Sequence, residues 1–551
     1  MKKNGNYPYY EVEPFGSIYE MLCLGEKEAG NKTAFKFKKG RNDIAEVKYS
    51  EFKKSVDELY SALCVLGFDK EHIACIGENS YKWVQTYLAA LVSDGVFVPI
   101  DKDLPDNDII NVLCHSDSGI VFCTEKYLKL FEKRKEDLPK IKKIVCFSAE
   151  SDTDDVLSFD GLFKLGEKNM KVPNTDRDKD KLKLLVYTSG TTGMAKGVML
   201  SEHNLVAGVY HGLHVSTVFT TCLSVLPYHH TYEAVCGLLV SLHKHSCICI
   251  NESLKAVLPN LSLYRPDYIL LVPAFVEVFY NKIQKTIESG NKTAAFKMLM
   301  KISGGLRKIG IDARKLIFGS IHKAFGGRLR KIVSGGAPIR PEIGEFFDAI
   351  GINLINGYGI TECSPLVSAN RDYYNNPSTV GVTLPCNKVE IRDKNEDGIG
   401  EICVKGETVM LGYYKNEEET KKALIDGWFY TGDYGKFNEE GQLCITGRKK
   451  NIIVLRNGKN IYPEEIESYI QNIPEIAEVV VYASKDENGE ERGLIAEVYP
   501  AEPIERVPLA KKIRDALSGL PSYKQVHQIK IRDTEFEKTT SKKIKRAKYN
   551  G

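Results

Sequence analysis

The 551-residue sequence has no CxxC pair among its 14 cysteines, no unbroken apolar run of membrane length, and a net charge of only +3. Each absence excludes something. Thiols scattered from Cys23 to Cys444 without paired spacing exclude a disulfide framework and a cysteine-built metal site, and a chain this long needs neither. They read as mostly buried, reduced thiols of a cytoplasmic protein. The most apolar region, Leu223 to Ile250, is broken by Pro227, Glu233, Lys244 and several histidines, so it is not a transmembrane segment. The start, MKKNGNYPYYEVEPFG, places no apolar run behind its lysines and does not read as a secretory signal. The small net charge gives no global field for nucleic acid. GxSxG, HExxH and GxGxxG are missing too, which removes hydrolase, zincin and nicotinamide readings.

What is present points to two or more domains, since the length exceeds one core. Tyr49 to Leu66 has the period of an amphipathic helix. IACIGENS (Ile73 to Ser80), IVFCT (Ile120 to Thr124) and KIVCFS (Lys143 to Ser148) read as buried strands, and Thr86 to Asp101 as helix, glycine turn and strand. Alternating strands and helices predict α/β layers with parallel pairing. Ala149 to Asp180 is polar and reads as a surface connection. Asn281 to Arg330 is rich in Lys and Arg, helical in period and poor in strand signals. It reads as a solvated helical pair, or as a basic flank that meets anionic lipid or nucleotide phosphate. From Arg448 the character changes. A helix (Pro463 to Ile473) and a strand (Glu478 to Ser484) open a small C-terminal α+β domain of about 100 residues.

The most informative stretch is YTSGTTGMAKGVML, Tyr187 to Leu200. Glycines let backbone N–H groups turn toward an anion, hydroxyls add donors, and Lys196 adds charge. It is not a Walker loop, because Ala195 precedes Lys196 and Gly197 follows it. KGVML is β-prone, so the loop is expected to join two strands, with no helix N-terminus behind it.

This stretch resembles the phosphate-loop signature of the adenylate-forming superfamily, which includes acyl-CoA synthetases, peptide-synthetase adenylation domains and luciferases. Further segments resemble the family's motifs in the family's order: LPYHHTYE (Leu226 to Glu233), SGGAPI (Ser334 to Ile339), NGYGITE (Asn356 to Glu362), GEICVKGETVMLGYY (Gly400 to Tyr414), GWFYTGDYG (Gly427 to Gly435), GRKKNIIVLRNGKNIYPEEIE (Gly447 to Glu467) and KTTSKKIKR (Lys538 to Arg546). The resemblance implies a large multi-subdomain N-terminal domain, 1–449, and a small mobile C-terminal domain, 450–551, rotating about Lys450. It also implies ATP, Mg²⁺ and CoA.

By the same resemblance, Thr188, Ser189, Gly190, Thr191, Thr192, Gly193 and Lys196 cradle the β- and γ-phosphates. Tyr358, within Asn356, Gly357 and Gly359, stacks on adenine, with Gly336, Ala337 and Pro338 as the other wall. Thr361 contacts the α-phosphate, and Glu362 offers a hard oxygen to Mg²⁺. Asp433 accepts from both ribose hydroxyls, with Arg448 beside it. Gly458 lines the pantetheine path. Lys543 bridges the carboxylate and the α-phosphate. Lys542 stands where the family usually has Gly, and Glu537 where it commonly has Pro, which admits Lys542 as a weaker candidate. His230 shapes or gates the acyl pocket and is not a base.

The basic helical stretch resembles long-chain fatty acyl-CoA synthetases. EAVCGLLVSL (Glu233 to Leu242) is small and apolar enough to line a hydrocarbon tunnel, where each buried CH₂ contributes about 0.8 kcal/mol. Ala234 stands where some long-chain relatives carry a bulky gate. The implied reaction is activation of a medium- to long-chain fatty acid and transfer to CoA. Alternatives are an acyl carrier protein as acceptor, an aryl or other carboxylate as substrate, and a non-catalytic nucleotide- or lipid-binding homologue. A peripheral membrane contact suits a fatty-acid user.

Overall fold

The computed structural model describes residues 7–40, 43–188, 195–454, 460–485, 491–501, 504–538, 544–546 and 549. The chain forms two compact units: 1–388 with 405–427, and 389–404 with 428–551.

The first unit contains two large sheets. One has eight strands. Its parallel part joins His72–Ile76, Val96–Ile100, Ser118–Cys123, Lys143–Cys146, Val156–Ser158 and Leu182–Thr188. These strands read VFVPI or SGIVFC because both faces are covered, and both of those are buried end to end. Helices Tyr81–Val92 and Asp106–His115 make crossovers, the first capped by Ser80, whose side chain accepts from Trp83 N–H. Lys196–Ser201 then pairs antiparallel with Leu182–Thr188, and Gly412–Tyr413 pairs antiparallel with Lys196–Ser201.

The second sheet has nine strands. Thr33–Lys38, Cys247–Ile250, Thr221–Ser224, Tyr268–Leu271, Lys331–Ser334 and Asn353–Tyr358 are parallel neighbours in that order. Four of them end at Ser224, Leu271, Ser334 and Tyr358, and three of the candidate segments, LPYHHTYE, SGGAPI and NGYGITE, leave this same sheet edge. In doubly wound sheets that carboxyl edge is where ligands bind.

The connection expected between Ala149 and Asp180 holds structure of its own. Val156–Ser158 adds a strand, and the helix Phe159–Lys168 packs on Tyr49–Leu66. Contact is so close at Gly166 that a Cβ there would lie 1.8 Å from the Glu58 carbonyl oxygen. The apolar cluster VLSFDGLF is short and flanked by acids, too brief to show a period. All fourteen cysteines are free, and Cys114 alone is exposed.

The second unit contains the strands Trp428–Phe437 and Leu443–Arg448 and residues 400–404 of the strand Gly400–Gly406, paired antiparallel from Trp428–Phe437 outward. It also holds a three-stranded sheet of Ile476–Lys485, Glu491–Pro500 and Val526–Ile531. Helices Pro463–Gln471 and Arg506–Leu517 cover that sheet, burying Ile466, Ile470, Leu509 and Ile513 against Val479, Val481 and Val498.

Candidate active site

The signature loop spans an antiparallel hairpin, with Thr188 opposite Lys196. Ser189, Gly190, Thr191, Thr192 and Gly193 lie outside the described residues. The helix that follows, Glu202–Val215, is capped by Ser201 at the opposite end of the strand from Lys196, roughly 17 Å away.

Lys196 pairs with Glu419 and stands 5.2 Å from the centre of the Tyr413 ring. Tyr413 donates its hydroxyl hydrogen to Glu362 Oε1 at 3.0 Å. Burial, reinforced by the Glu362 carboxylate, raises the phenol's pKa and keeps it a donor. Two contacts fix Tyr413: its pairing opposite Val198, and a 2.8 Å bond from its N–H to Thr420 Oγ1. The Glu362 carbonyl accepts from Met410 N–H at 2.9 Å. Thr361 and Glu362 share the 3₁₀ turn Thr361–Cys363. The loop's lysine and the acidic residue of NGYGITE are thus brought to one place by GYY.

At the sheet edge, Ser334 and Asn356 are register partners on neighbouring strands, and Asn356 and Tyr358 share a strand face. Ser334 Oγ and Asn356 Oδ1 are buried without a hydrogen-bond partner among the described residues. Both unpaired atoms lie on the strand face that carries Tyr358, which is buried as well. Gly336 has φ +84°, a left-handed conformation that favours glycine, and Gly336, Ala337 and Pro338 are exposed. Gly359 admits no side chain, because a Cβ would lie 1.7 Å from the Pro365 carbonyl oxygen. Gly357 pairs with Ala369.

LPYHHTYE leaves the same edge. Asn79 holds it, accepting from Tyr228 N–H at 3.0 Å and donating to the Leu226 carbonyl at 2.7 Å. The His229 and His230 rings are 4.2 Å apart, and burial drives the His229 pKa well down, so its imidazole is neutral. The His230 carbonyl accepts from Glu233 and Ala234 N–H, starting a π-helix at Tyr232–Leu239. Ala234, Val235, Leu238 and Leu239 are buried there. Glu233 is fully buried, accepts from Ser224 Oγ at 2.5 Å, and has its pKa pushed up to about 8 by burial.

In the second unit, Asp433 and Arg448 face each other across adjacent strands, with Arg448 Nε 2.9 Å from Asp433 Oδ1. Asp433 is buried, while half of the Arg448 side chain is open. Lys450 lies on the 3₁₀ turn Lys449–Asn451, inside this unit. Burial, then Arg448, lowers its pKa. Lys538 and Ile544 form an isolated bridge, and Arg546 pairs with Glu467. Lys542 and Lys543 fall between the bridged residues and, like Gly458, lie outside the described residues.

Residues 25–414 match the sequence profile of the AMP-binding enzyme family, and residues 465–543 match that of the AMP-binding enzyme C-terminal domain. The chain belongs to the AMP-binding enzyme family. It is 30% identical over 502 residues to Long-chain-fatty-acid–CoA ligase 6 of Rattus norvegicus, covering 85% of this chain and 72% of the relative. With Long chain acyl-CoA synthetase 4 of Arabidopsis thaliana the figures are 29% over 525 residues, 87% and 78%. The solved anthranilate CoA ligase AuaEII with anthranoyl-AMP superposes with TM-score 0.79 at 19% identity, covering 98% and 97% of the two chains. ATP-bound MatB from Rhodopseudomonas palustris gives 0.75 at 23%, covering 96% and 97%. This AMP-binding enzyme therefore has the adenylate-forming fold that its motifs imply.

Three residues of this AMP-binding enzyme escape the motif reading. Glu419 holds Lys196 from 223 residues away, Tyr413 reaches Glu362 across 51, and Tyr232 donates to the Val333 carbonyl at 3.0 Å. Tyr232 ties the π-helix to the strand that ends in SGGAP. Its aromatic character within LPYHHTYE is the only sequence signal. No three His, Cys, Asp or Glu side chains gather as a metal cage among the described residues. One carboxylate, Glu362, suits Mg²⁺, which keeps water and phosphate in most of its shell.

Proposed function

We propose that this chain activates a medium- to long-chain fatty acid with ATP and then passes the acyl group to CoA. The observation that carries the reading is the Lys196–Tyr413–Glu362 group at the foot of the signature hairpin. It gathers a cation and a hard oxygen beside a loop whose composition suits phosphate. The buried, unpaired Ser334 and Asn356 atoms on the strand face of Tyr358 support the base-binding half of the argument.

In the first half-reaction a carboxylate oxygen of the acid attacks the α-phosphorus. The bond to the bridging oxygen breaks, and pyrophosphate leaves. Thr188, Ser189, Gly190, Thr191, Thr192, Gly193 and Lys196 hold the β- and γ-phosphates, and Thr361 the α-phosphate. A Mg²⁺ ion held by Glu362 would neutralise phosphate charge. Tyr358 stacks on the base, and Asp433 with Arg448 takes the ribose. Lys543 balances charge between the two reacting anions. Positioning and neutralisation are the protein's main contributions. In the second half-reaction the CoA thiol attacks the acyl carbonyl, the bond to the phosphate oxygen breaks, and AMP leaves. Rotation of the segment 450–551 about Lys450 separates the two steps, and Gly458 lines the thiol's path.

The buried apolar π-helix, with Ala234 on it and His230 before it, supports a hydrocarbon substrate, as do the names of the rat and plant relatives. Fourteen free cysteines support a cytoplasmic setting. The test is acid-dependent ATP–pyrophosphate exchange with short-chain, long-chain and aryl acids. Exchange is expected to peak with long chains and to vanish in Lys543→Ala. CoA and an acyl carrier protein are then compared as acceptors. ATP binding without exchange for any acid would overturn the reading in favour of a binding protein.

A further inference from the structure

The stretch 281–330 carries twelve Lys and Arg against Glu288 and Asp312, a balance of +10 in a chain of +3. The remainder is therefore net negative, at −7. The structure divides these cations into two kinds. Arg307 and Arg314 pair with Asp348, and Arg328 and Arg330 with Asp267. Lys282, Lys285, Lys292, Lys297, Lys301, Lys308, Lys315 and Lys323 are all exposed and form no ion pair among the described residues. Internal acids thus hold the rigid forks, while the flexible ammonium groups stay free.

Large apolar side chains are exposed between the same lysines. Val278 is 57% exposed, Met298 60%, Ile302 47%, Ile309 71%, Ile311 51% and Leu316 85%. Helix Thr293–Lys308 explains the arrangement. Phe296, Leu299 and Met300 pack inward against the core around Phe318 and Phe346. Met298 and Ile302, one turn apart, point outward and continue to Ile309, while Lys297, Lys301 and Lys308 run alongside at the same spacing. The helix is thus apolar on a second face with nothing packed over it among the described residues, and that row is flanked by cations.

We propose that this outer face of Thr293–Lys308, with the following turn to Leu316, docks on an anionic lipid bilayer. An apolar row lying in the interface with lysines reaching the headgroups is what such a surface requires. A folded acidic protein would be met better by arginine forks fixed in register, and here those forks are already engaged. No described helix is long and apolar enough to cross a membrane, so the contact is peripheral. The proposal does not depend on the reaction, although a bilayer would also hold the fatty acid.

The test is co-sedimentation of the full chain with phosphatidylcholine vesicles, with and without phosphatidylserine, at low and high salt. Binding is expected only with phosphatidylserine, and is expected to weaken with salt. Each lysine near the surface contributes about fivefold, so Lys297→Glu with Lys301→Glu should lower affinity by more than about twentyfold. Ile302→Asp with Leu316→Asp should abolish insertion while melting temperature and pyrophosphate exchange stay unchanged. Equal binding to neutral vesicles, or full binding by both variants, would overturn the proposal. So would absence of vesicle binding alongside capture of an acyl carrier protein that the lysine variants lose. Sedimentation reads no catalysis, so its outcome stands apart from the adenylation assay.

Discussion

Tyr413 makes one hydrogen bond to Glu362 and sits against Lys196. Tyr413→Phe keeps the ring and removes the donor. A bond to a charged group is worth about 1.5–3 kcal/mol, so exchange should fall on the order of tenfold or more, and the Mg²⁺ concentration for half-maximal rate should rise. A titration of exchange rate against Mg²⁺ checks this; an unchanged titration would remove Tyr413 from the site. Glu233 allows a pH test. Its pKa rises from 4.5 to about 8 on folding, through burial among the neutral groups Ser224, Tyr228, Tyr232, Cys222 and Cys236. The folded state keeps a proton that the unfolded chain has released, so this residue's contribution is intact below pH 4.5 and is lost as pH rises toward about 8. Glu233→Gln has no proton to lose. Relative to the variant, the native chain should lose a few kcal/mol across that window. Glu467, raised to about 7, titrates in both proteins, so melting curves at several pH values should be compared as a difference. Parallel curves would show that Glu233 is not held neutral.

Elements show what the sequence can and cannot say. The hairpin of the signature loop is legible because KGVML is β-prone directly after the glycine loop, and Asp433–Arg448 lies in two motifs that become adjacent strands. The Lys196–Glu419 pair is not legible, because it links residues 223 apart through a strand of only two residues, Gly412–Tyr413. The helix Phe159–Lys168 is missed for a related reason: its support comes from Tyr49–Leu66, far away in sequence. That packing gives an element-scale prediction. Gly166→Ala places a methyl 1.8 Å from the Glu58 carbonyl oxygen, a backbone atom that cannot swing aside. Overpacking of this kind costs about 1–3 kcal/mol or more, so the unfolding midpoint should drop while exchange per folded molecule is kept. A midpoint equal to wild type would mean the helix sits further out.

At the scale of the whole molecule, the motif order reveals the family but does not mark the compact units: 389–404 and 428–449 fold with the C-terminal segment. Lys450, on the turn Lys449–Asn451, tests the rotation proposed for thioester formation. Proline fixes φ near −65°. Lys450→Pro should leave pyrophosphate exchange within a few fold and reduce acyl-CoA formation by about tenfold or more, as measured by following both half-reactions separately. Equal loss of both would point to a local defect. The separation of charge between 281–330 and the rest of the chain has a practical consequence. An isoelectric point near 8.0 suggests weak retention on any ion exchanger at neutral pH. A molecule with one strongly basic face and an acidic remainder should instead adhere to both resin types, each holding it by a different side.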